Sequence, residues 1–263
     1  MSIAYSIITG AASGLGKAIA EQLLKDHKPL ILIDFNEIKT TYSRATVIKG
    51  DVNNPETWKK VTDILEFNQA QVELLANCAG VTATGDAENI SLETWHWVMN
   101  TNFFGIVNAC HSLIPYFKKQ KSGNILNVAS RAGISSVPQM APYNTSKAAI
   151  ISFSETLYSE LKPYGIGVTV ACPSYFQGEL FKNMRSENDT QKELAKKFIT
   201  TAKKTADEMA TEILNAVKDN ELYYFPQGED KTLWRLKRLF PLLALNLVTK
   251  KYHQELKKLK GRS

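Results

Sequence analysis

Cysteine is scarce in this chain. Cys78, Cys110 and Cys172 are the only three, each inside an apolar run, with no CxxC spacing and no paired histidines. That pattern excludes a disulfide or zinc framework and reads as buried thiols in a reducing, cytoplasmic setting, with no metal site. Long apolar runs are also missing: Leu242 to Val248 falls far short of the ~20 residues a membrane span needs. The start, Met-Ser-Ile-Ala-Tyr-Ser-Ile-Ile-Thr-Gly, lacks a basic leader and runs directly into a glycine turn, so a strand explains it better than a signal peptide. No repeat, low-complexity tract or linker interrupts the chain, and 263 residues suit one α/β domain with a large core.

Most of the chain carries no charge surplus either. Of 32 basic and 26 acidic residues, 10 and 3 fall in 229–263, which leaves 22 against 23 in residues 1–228. The formal net charge of +6 therefore belongs to the tail, and the body offers no basic stripe or motif for nucleic acid.

The stretch around which the rest is arranged runs from Ser130 to Lys147. Tyr143 and Lys147 stand four apart at the start of an Ala-rich helical segment, so their side chains share one face, one turn apart. An ammonium beside a phenol favours the phenolate, which draws a group that titrates near pH ~10 toward working pH as a general acid or base. Ser130 ends the apolar run Asn124-Ile-Leu-Asn-Val-Ala-Ser130. That run reads as a buried parallel strand, and open α/β sheets gather their chemistry where such strands end.

Upstream, a strand from Tyr5 to Thr9 empties into Gly10-Ala-Ala-Ser13-Gly14-Leu15-Gly16, followed by a helix. This is the geometry that aims free N–H groups and a helix dipole at a pyrophosphate. A second strand, Pro29 to Asp34, ends in a carboxylate 18 residues after Gly16, placed to accept from both ribose hydroxyls and to repel a 2′-phosphate. Neither Phe35 nor Asn36 is basic and Ser13 sits where a cation could meet a phosphate, so NAD is favoured, with NADP as the alternative.

A third strand, Ala45 to Lys49, leads to Asp51-Val52, an acid and an apolar side chain suited to adenine. Only a turn or two of helix fits between Asp34 and Ala45. A helix over 55–67 and a strand ending in Asn77-Cys78-Ala79-Gly80 follow, the small residues letting backbone approach a flat ligand. Asn102 and Gly105 interrupt a long helical pattern over 92–118, which predicts a kink or a polar task there. After the Tyr143 helix, stopped by Pro163, a strand over 167–172 ends in Pro173-Ser174-Tyr175-Phe176-Gln177-Gly178. Residues 179–206 are polar and read as a lid; a helix over 206–218 and a strand over 221–225 complete about seven strands, with helices on both faces of a doubly wound parallel sheet.

In the tail, Leu233, Trp234, Leu236, Leu239 and Phe240 recur at helical spacing among Lys231, Arg235, Lys237 and Arg238, until Pro241 intervenes. Such a basic amphipathic segment packs on its own domain or a sister subunit; a weak, salt-sensitive peripheral contact of residues 231–260 with an anionic membrane stays open.

These residues, from 3 to about 228, resemble the short-chain dehydrogenase/reductase family: Thr9-Gly10-x-x-x-Gly14-x-Gly16, Asp51-Val52, Asn77-Cys-Ala-Gly80, Asn102, Ser130 and Tyr143-x-x-x-Lys147 in order. The resemblance implies a Rossmann-type fold, a nicotinamide cofactor and a catalytic set of Asn102, Ser130, Tyr143 and Lys147. Tyr143 would exchange the proton with an alcohol or carbonyl substrate, Ser130 would hydrogen-bond its oxygen, Lys147 would hold the nicotinamide ribose, and Asn102 would position a water linking Lys147 to solvent. Pro173 and Phe176 fall on the cofactor side, and a homodimer or homotetramer is expected. The chain departs from the family where Ser174 and Gly178 replace the usual Gly and Thr, so the carboxamide anchor has to come from backbone or from neighbours. The apolar tail, expected to cover the substrate side, points to a lipophilic alcohol or ketone. A non-catalytic dinucleotide sensor or scaffold is the rival reading, against which the complete catalytic set argues.

Overall fold

A computed structural model describes residues 3–39, 43–177, 184–186 and 189–260. Gly178 and the first part of the expected lid lie outside the described residues.

Strand β1 (Ala4–Thr9) leads through the glycine turn into helix α1 (Gly14–Lys25) and strand β2 (Leu30–Asp34). β3 (Ala45–Lys49), α2 (Pro55–Phe67), β4 (Gln71–Asn77) and the short β5 (Ala83–Thr84) follow. The described residues between Asp34 and Ala45 form no helix, contrary to the expectation; they run as bends and irregular chain. The long helical pattern is α3 (Leu92–Met99), a π-helical turn (Asn100–Phe104) and α4 (Gly105–Gln120). Then come β6 (Asn124–Val128), a 3₁₀ turn (Arg131–Gly133), α5 (Ala141–Leu161), β7 (Gly167–Ala171), β8 (Arg185–Ser186), α6 (Asp189–Thr200), α7 (Ala206–Lys218), β9 (Tyr223–Tyr224), α8 (Gly228–Leu239) and α9 (Pro241–Lys260).

Seven strands form one parallel sheet in the order β3-β2-β1-β4-β6-β7-β9. Every residue of β2 is buried, as expected of a strand covered on both faces. Ile7, Ile31, Leu75 and Ile125 pack under α2, α4 and α5. Ile8, Leu32, Ala76 and Leu126 face the other way, under α1 and α7. The chain reverses its direction of travel across the sheet between β1 and β4, and in doubly wound sheets that switch opens a crevice at the strand ends.

Three interactions prop this crevice open. The Thr9 hydroxyl accepts from the N–H groups of Cys78 and Ala79, both at 3.1 Å, and ties the ends of β1 and β4 together. Val52 fills the space over Gly105, where a Cβ would come within 2.5 Å of a Val52 methyl. The Val52 carbonyl accepts from the Trp58 indole at 2.8 Å and the Asn108 amide at 3.2 Å, which locks β3 to α2 and α4.

The tail turns back onto the domain. Trp234 packs on Tyr223 and Phe225, with centroids 5.1 and 5.4 Å away, and Ala244 and Tyr252 are buried. Lys237 donates to the Ile134 carbonyl and Tyr252 to the Gln139 side chain, so both helices clasp the segment between Ser130 and Tyr143. Lys197 on α6 meets Glu255 on α9 at 2.7 Å. Docking is one-sided: Leu233 and Leu236 are half-buried, while Leu239, Phe240, Leu242 and Leu243 stay exposed.

Candidate active site

The crevice is a cavity of about 730 Å³ that runs from Asp34 across the glycine turn to Tyr143 and Tyr175. Every residue proposed from the sequence lines it except Asn77 and Asn102.

At one end the chain makes room for backbone. Gly10 has φ +67°, and a Cβ there would stand 2.8 Å from the Ala79 nitrogen; a Cβ on Gly16 would strike the Gly10 carbonyl oxygen at 2.3 Å. Only hydrogen at these places lets β1, β4 and α1 converge. Ser13, the residue before α1, makes no side-chain cap, so the first-turn N–H groups are left for an anion. Asp34, 8 % exposed, is fixed by the Ala12 N–H to Oδ2 at 3.0 Å and the Asn36 N–H to Oδ1 at 2.8 Å. The carboxylate is thereby held facing the crevice, with lone pairs left for ribose hydroxyls. Asp51 turns back on itself, accepting from the Asn53 N–H at 2.9 Å. Glycines a Cβ would jam, an uncapped helix start and an oriented acid together fit a nicotinamide dinucleotide.

At the other end Ser130, Tyr143 and Lys147 share one wall. Ser130 caps its 3₁₀ turn: Oγ accepts from the Ala132 N–H at 3.1 Å and donates to the Pro173 carbonyl at 3.3 Å. Lys147 donates to the Val128 carbonyl at 2.8 Å, and its Nζ lies 5.6 Å from the centre of the Tyr143 ring. Burial lowers the Lys147 ammonium to about 8, against a raising influence of Cys78 and Cys172. Burial pushes the Tyr143 phenol up to about 12, with a hydrogen bond to Ser130 pulling it down and Tyr175 adding to the rise.

The expectation that Lys147 draws Tyr143 toward working pH is therefore corrected for this structure. Desolvation dominates both groups, and the ammonium hydrogen-bonds a carbonyl instead of the phenol.

Asn102 sits in the π-helical turn, fully buried behind the wall. Its Oδ1 accepts from the Val81 N–H at 2.7 Å, and its amide donates to the Val81 carbonyl at 2.9 Å and to Ser146 at 3.0 Å. The interruption of the helical pattern thus carries both a π-turn and a polar task. A methyl on Gly80 would stand 3.4 Å from Asn102 Oδ1 and 3.6 Å from Lys147 Nζ, so the two polar groups converge there.

Asn77 is a correction. Its amide donates to Asn127 Oδ1 at 2.9 Å, and Asn127 in turn donates to Ser154 at 2.9 Å. Its amide nitrogen joins β4, β6 and α5 inside the sheet, and Asn77 does not line the cofactor crevice.

The sequence reading missed several lining residues. Trp97, Val137, Met140 and Tyr175 make the far end apolar and aromatic. Arg185 lies over the Trp97 ring at 4.2 Å and Phe198 of α6 stacks on Tyr175 at 4.8 Å, so the segment after β7 reaches over this end. Arg131, next to Ser130, also lines the cavity and meets the buried Asp230. Its place beside Ser130 was a usable signal; nothing local marked Asp230.

A parallel doubly wound sheet with a dinucleotide cradle at its switch point and a serine, tyrosine and lysine on one wall defines a nicotinamide-dependent oxidoreductase domain. Residues 5–189 match the family described as short chain dehydrogenase, and the chain belongs to that family of oxidoreductases. It is 32% identical over 170 residues to a 3-ketodihydrosphingosine reductase of Bacteroides thetaiotaomicron, covering 65% of this chain and 63% of that protein. The chain thus spans somewhat under two thirds of that relative, and 55% of the bovine reductase of the same name. A CLA biosynthesis dehydrogenase/reductase of Lactiplantibacillus plantarum is 28% identical over 261 residues, covering 88% of this chain and 91% of that one. Among solved structures, a short-chain dehydrogenase/reductase from Burkholderia phymatum in complex with NAD superposes with a TM-score of 0.83 at 27% identity, covering 92% of this chain and 95% of that chain.

Proposed function

We propose that this protein is an NAD-dependent oxidoreductase that interconverts a lipophilic alcohol and its ketone. The observation that carries the reading is the shared wall of Ser130, Tyr143 and Lys147, facing one continuous crevice that begins at Asp34. NAD, when bound, supplies the hydride acceptor, and its reduced form the donor. Tyr143 gives its phenolic proton to the substrate oxygen in reduction and takes it back in oxidation. Ser130, its hydroxyl turned from the Pro173 carbonyl, donates a hydrogen bond to that oxygen, and Lys147 holds the ribose. Asn102 fixes the π-turn behind Lys147 and lines up a water that relays protons to it. Residues 1–228 form the catalytic unit, with 229–263 strapped over its substrate side, and the enzyme works as a cytoplasmic homo-oligomer.

The apolar far end formed by Trp97, Val137, Met140 and Tyr175 favours a lipophilic substrate, as do relatives named for 3-ketodihydrosphingosine. The test is a panel of aliphatic ketones of increasing chain length with NADH, followed by loss of its absorbance. The expected result is kcat/KM that climbs with chain length and collapses in Tyr143→Phe. NAD binding without turnover of any alcohol or ketone would leave a dinucleotide sensor in place of an enzyme.

A further inference from the structure

The bend between α8 and α9 carries the largest apolar exposure of the tail: Leu239 is 73%, Phe240 58%, Leu242 75%, Leu243 51% and Leu247 49% exposed. Single exposed apolar side chains are ordinary, but five within nine positions form a patch that calls for a partner. The patch is not the ragged end of a loose tail. Trp234, Lys237, Ala244 and Tyr252 dock the opposite faces of the same helices onto the domain, so the leucines are presented outward in fixed orientation.

Charge identifies the occupant. From Lys231 to Gln254 the chain has no Asp or Glu, and Lys231, Arg235, Lys250 and Lys251 are exposed, while Arg238 lies over the Trp234 ring and faces Glu155. Arg235 lies one turn before Leu239 on α8, and Lys250 and Lys251 one turn after Leu247 on α9, so the basic groups bracket the apolar ones. No helix among the described residues is long and apolar enough to cross a membrane. A second copy seated on this face would bring two basic surfaces together; an anionic lipid surface satisfies both the leucines and the cations.

We propose that the α8–α9 bend is a membrane-contact surface that lies on an anionic bilayer, with Leu239, Phe240, Leu242, Leu243 and Leu247 at the acyl boundary and the flanking lysines and arginines among the headgroups. The same helices clasp residues 134 and 139 beside the catalytic wall, which puts the bilayer next to the substrate end of the cavity. Delivery of substrate from the bilayer rests on the lipophilic substrate proposed above; lipid binding itself does not.

The test uses the full chain and sedimentation with phosphatidylcholine vesicles, with and without phosphatidylserine. Binding is expected only with phosphatidylserine present and is expected to weaken as salt rises. The triple variant Leu239→Ser, Leu242→Ser, Leu243→Ser changes side chains already in water, so it folds, and its vesicle affinity should fall by more than about tenfold. Wild-type protein that ignores anionic vesicles at low salt overturns the proposal, as does binding that survives the triple substitution. A dimer that the triple variant converts to monomer also overturns it and makes the patch a subunit interface. Turnover of a short water-soluble ketone, measured for both proteins without vesicles, reports on the enzyme reading alone.

Discussion

The guanidinium of Arg131 stands 3.4 Å from the carboxylate of Asp230, ninety-nine residues later and only 2% exposed. This contact joins the first turn of α8 to the residue beside Ser130. Burial raises the Asp230 carboxyl above its ordinary range, an effect larger than the opposing pull of Arg131, and Oδ2 has no hydrogen-bond partner among the described residues. For this carboxylate desolvation outweighs the attraction of Arg131.

Asp230→Asn keeps the shape and removes the charge. A group whose folded pKa is raised costs stability once it ionises, and that cost fades as pH falls through the carboxylate range. The variant should therefore melt no lower than wild type at neutral pH, with any gain shrinking on acidification. Arg131 loses its anchor, so KM should rise by a few-fold with a smaller change in kcat. Calorimetry and steady-state kinetics check both, and a clear loss of neutral-pH stability would show that the ion pair holds the fold.

With Tyr143 pushed up to about 12, the resting group is a phenol, ready to donate. Reduction should be nearly flat with pH through the neutral range. Oxidation needs the phenolate and should climb by roughly tenfold per pH unit until the group titrates in the working complex. Tyr143→Phe should lower both directions by about 10²–10⁴. Initial rates in each direction across pH decide this; an oxidation rate independent of pH would remove Tyr143 as the base.

Asp34 should set the choice between dinucleotides. Like charges 4 Å apart repel by roughly 4 kcal/mol at an effective dielectric constant near 20, so kcat/KM should favour NAD over NADP by orders of magnitude. Asp34→Ala should narrow that ratio. It should also lower stability by about 1 kcal/mol for each backbone partner lost, since Ala12 and Asn36 both donate to this carboxylate. Equal use of both cofactors by the wild type would refute the assignment.

Lys147 carries its charge at a cost in stability. Its ammonium is lowered to about 8 by burial, so below that pH the folded state holds a desolvated charge. As pH rises from about 8 to about 10.5 that penalty disappears. Lys147→Met should be inactive yet more stable at neutral pH, by up to a few kcal/mol. The gain should vanish by about pH 10.5. Denaturant titrations at both pH values test it, and a variant less stable at neutral pH would mean that the bond to the Val128 carbonyl dominates.

The order of strands and helices was legible because each element carries its own local signal. β3, α2 and α7 have the bounds expected of them, 45–49, 55–67 and 206–218. The wall of Ser130, Tyr143 and Lys147 was legible for the same reason, being a strand end and one helical turn. Features that depend on distant partners were not. Asn77 looked available to a ligand until Asn127 took its amide, and β9 is shorter than the apolar run over 221–225 suggested. The direction of the Tyr143 shift turned on how thoroughly the site is dried, which spacing cannot express.

The crevice between β1 and β4 divides the chain's duties along its length. The groups that would grip the adenosine half of a dinucleotide, from Gly10 to Asn53, precede the crossover, while the groups that would act on the substrate, from Ser130 to Tyr175, follow it. An engineer could then exchange residues 34–53 to retune the redox carrier and leave the reactive wall untouched. The aromatic far end could in turn be reshaped without disturbing carrier choice. The two programmes of substitution should combine additively, because the two groups of residues line opposite ends of the crevice.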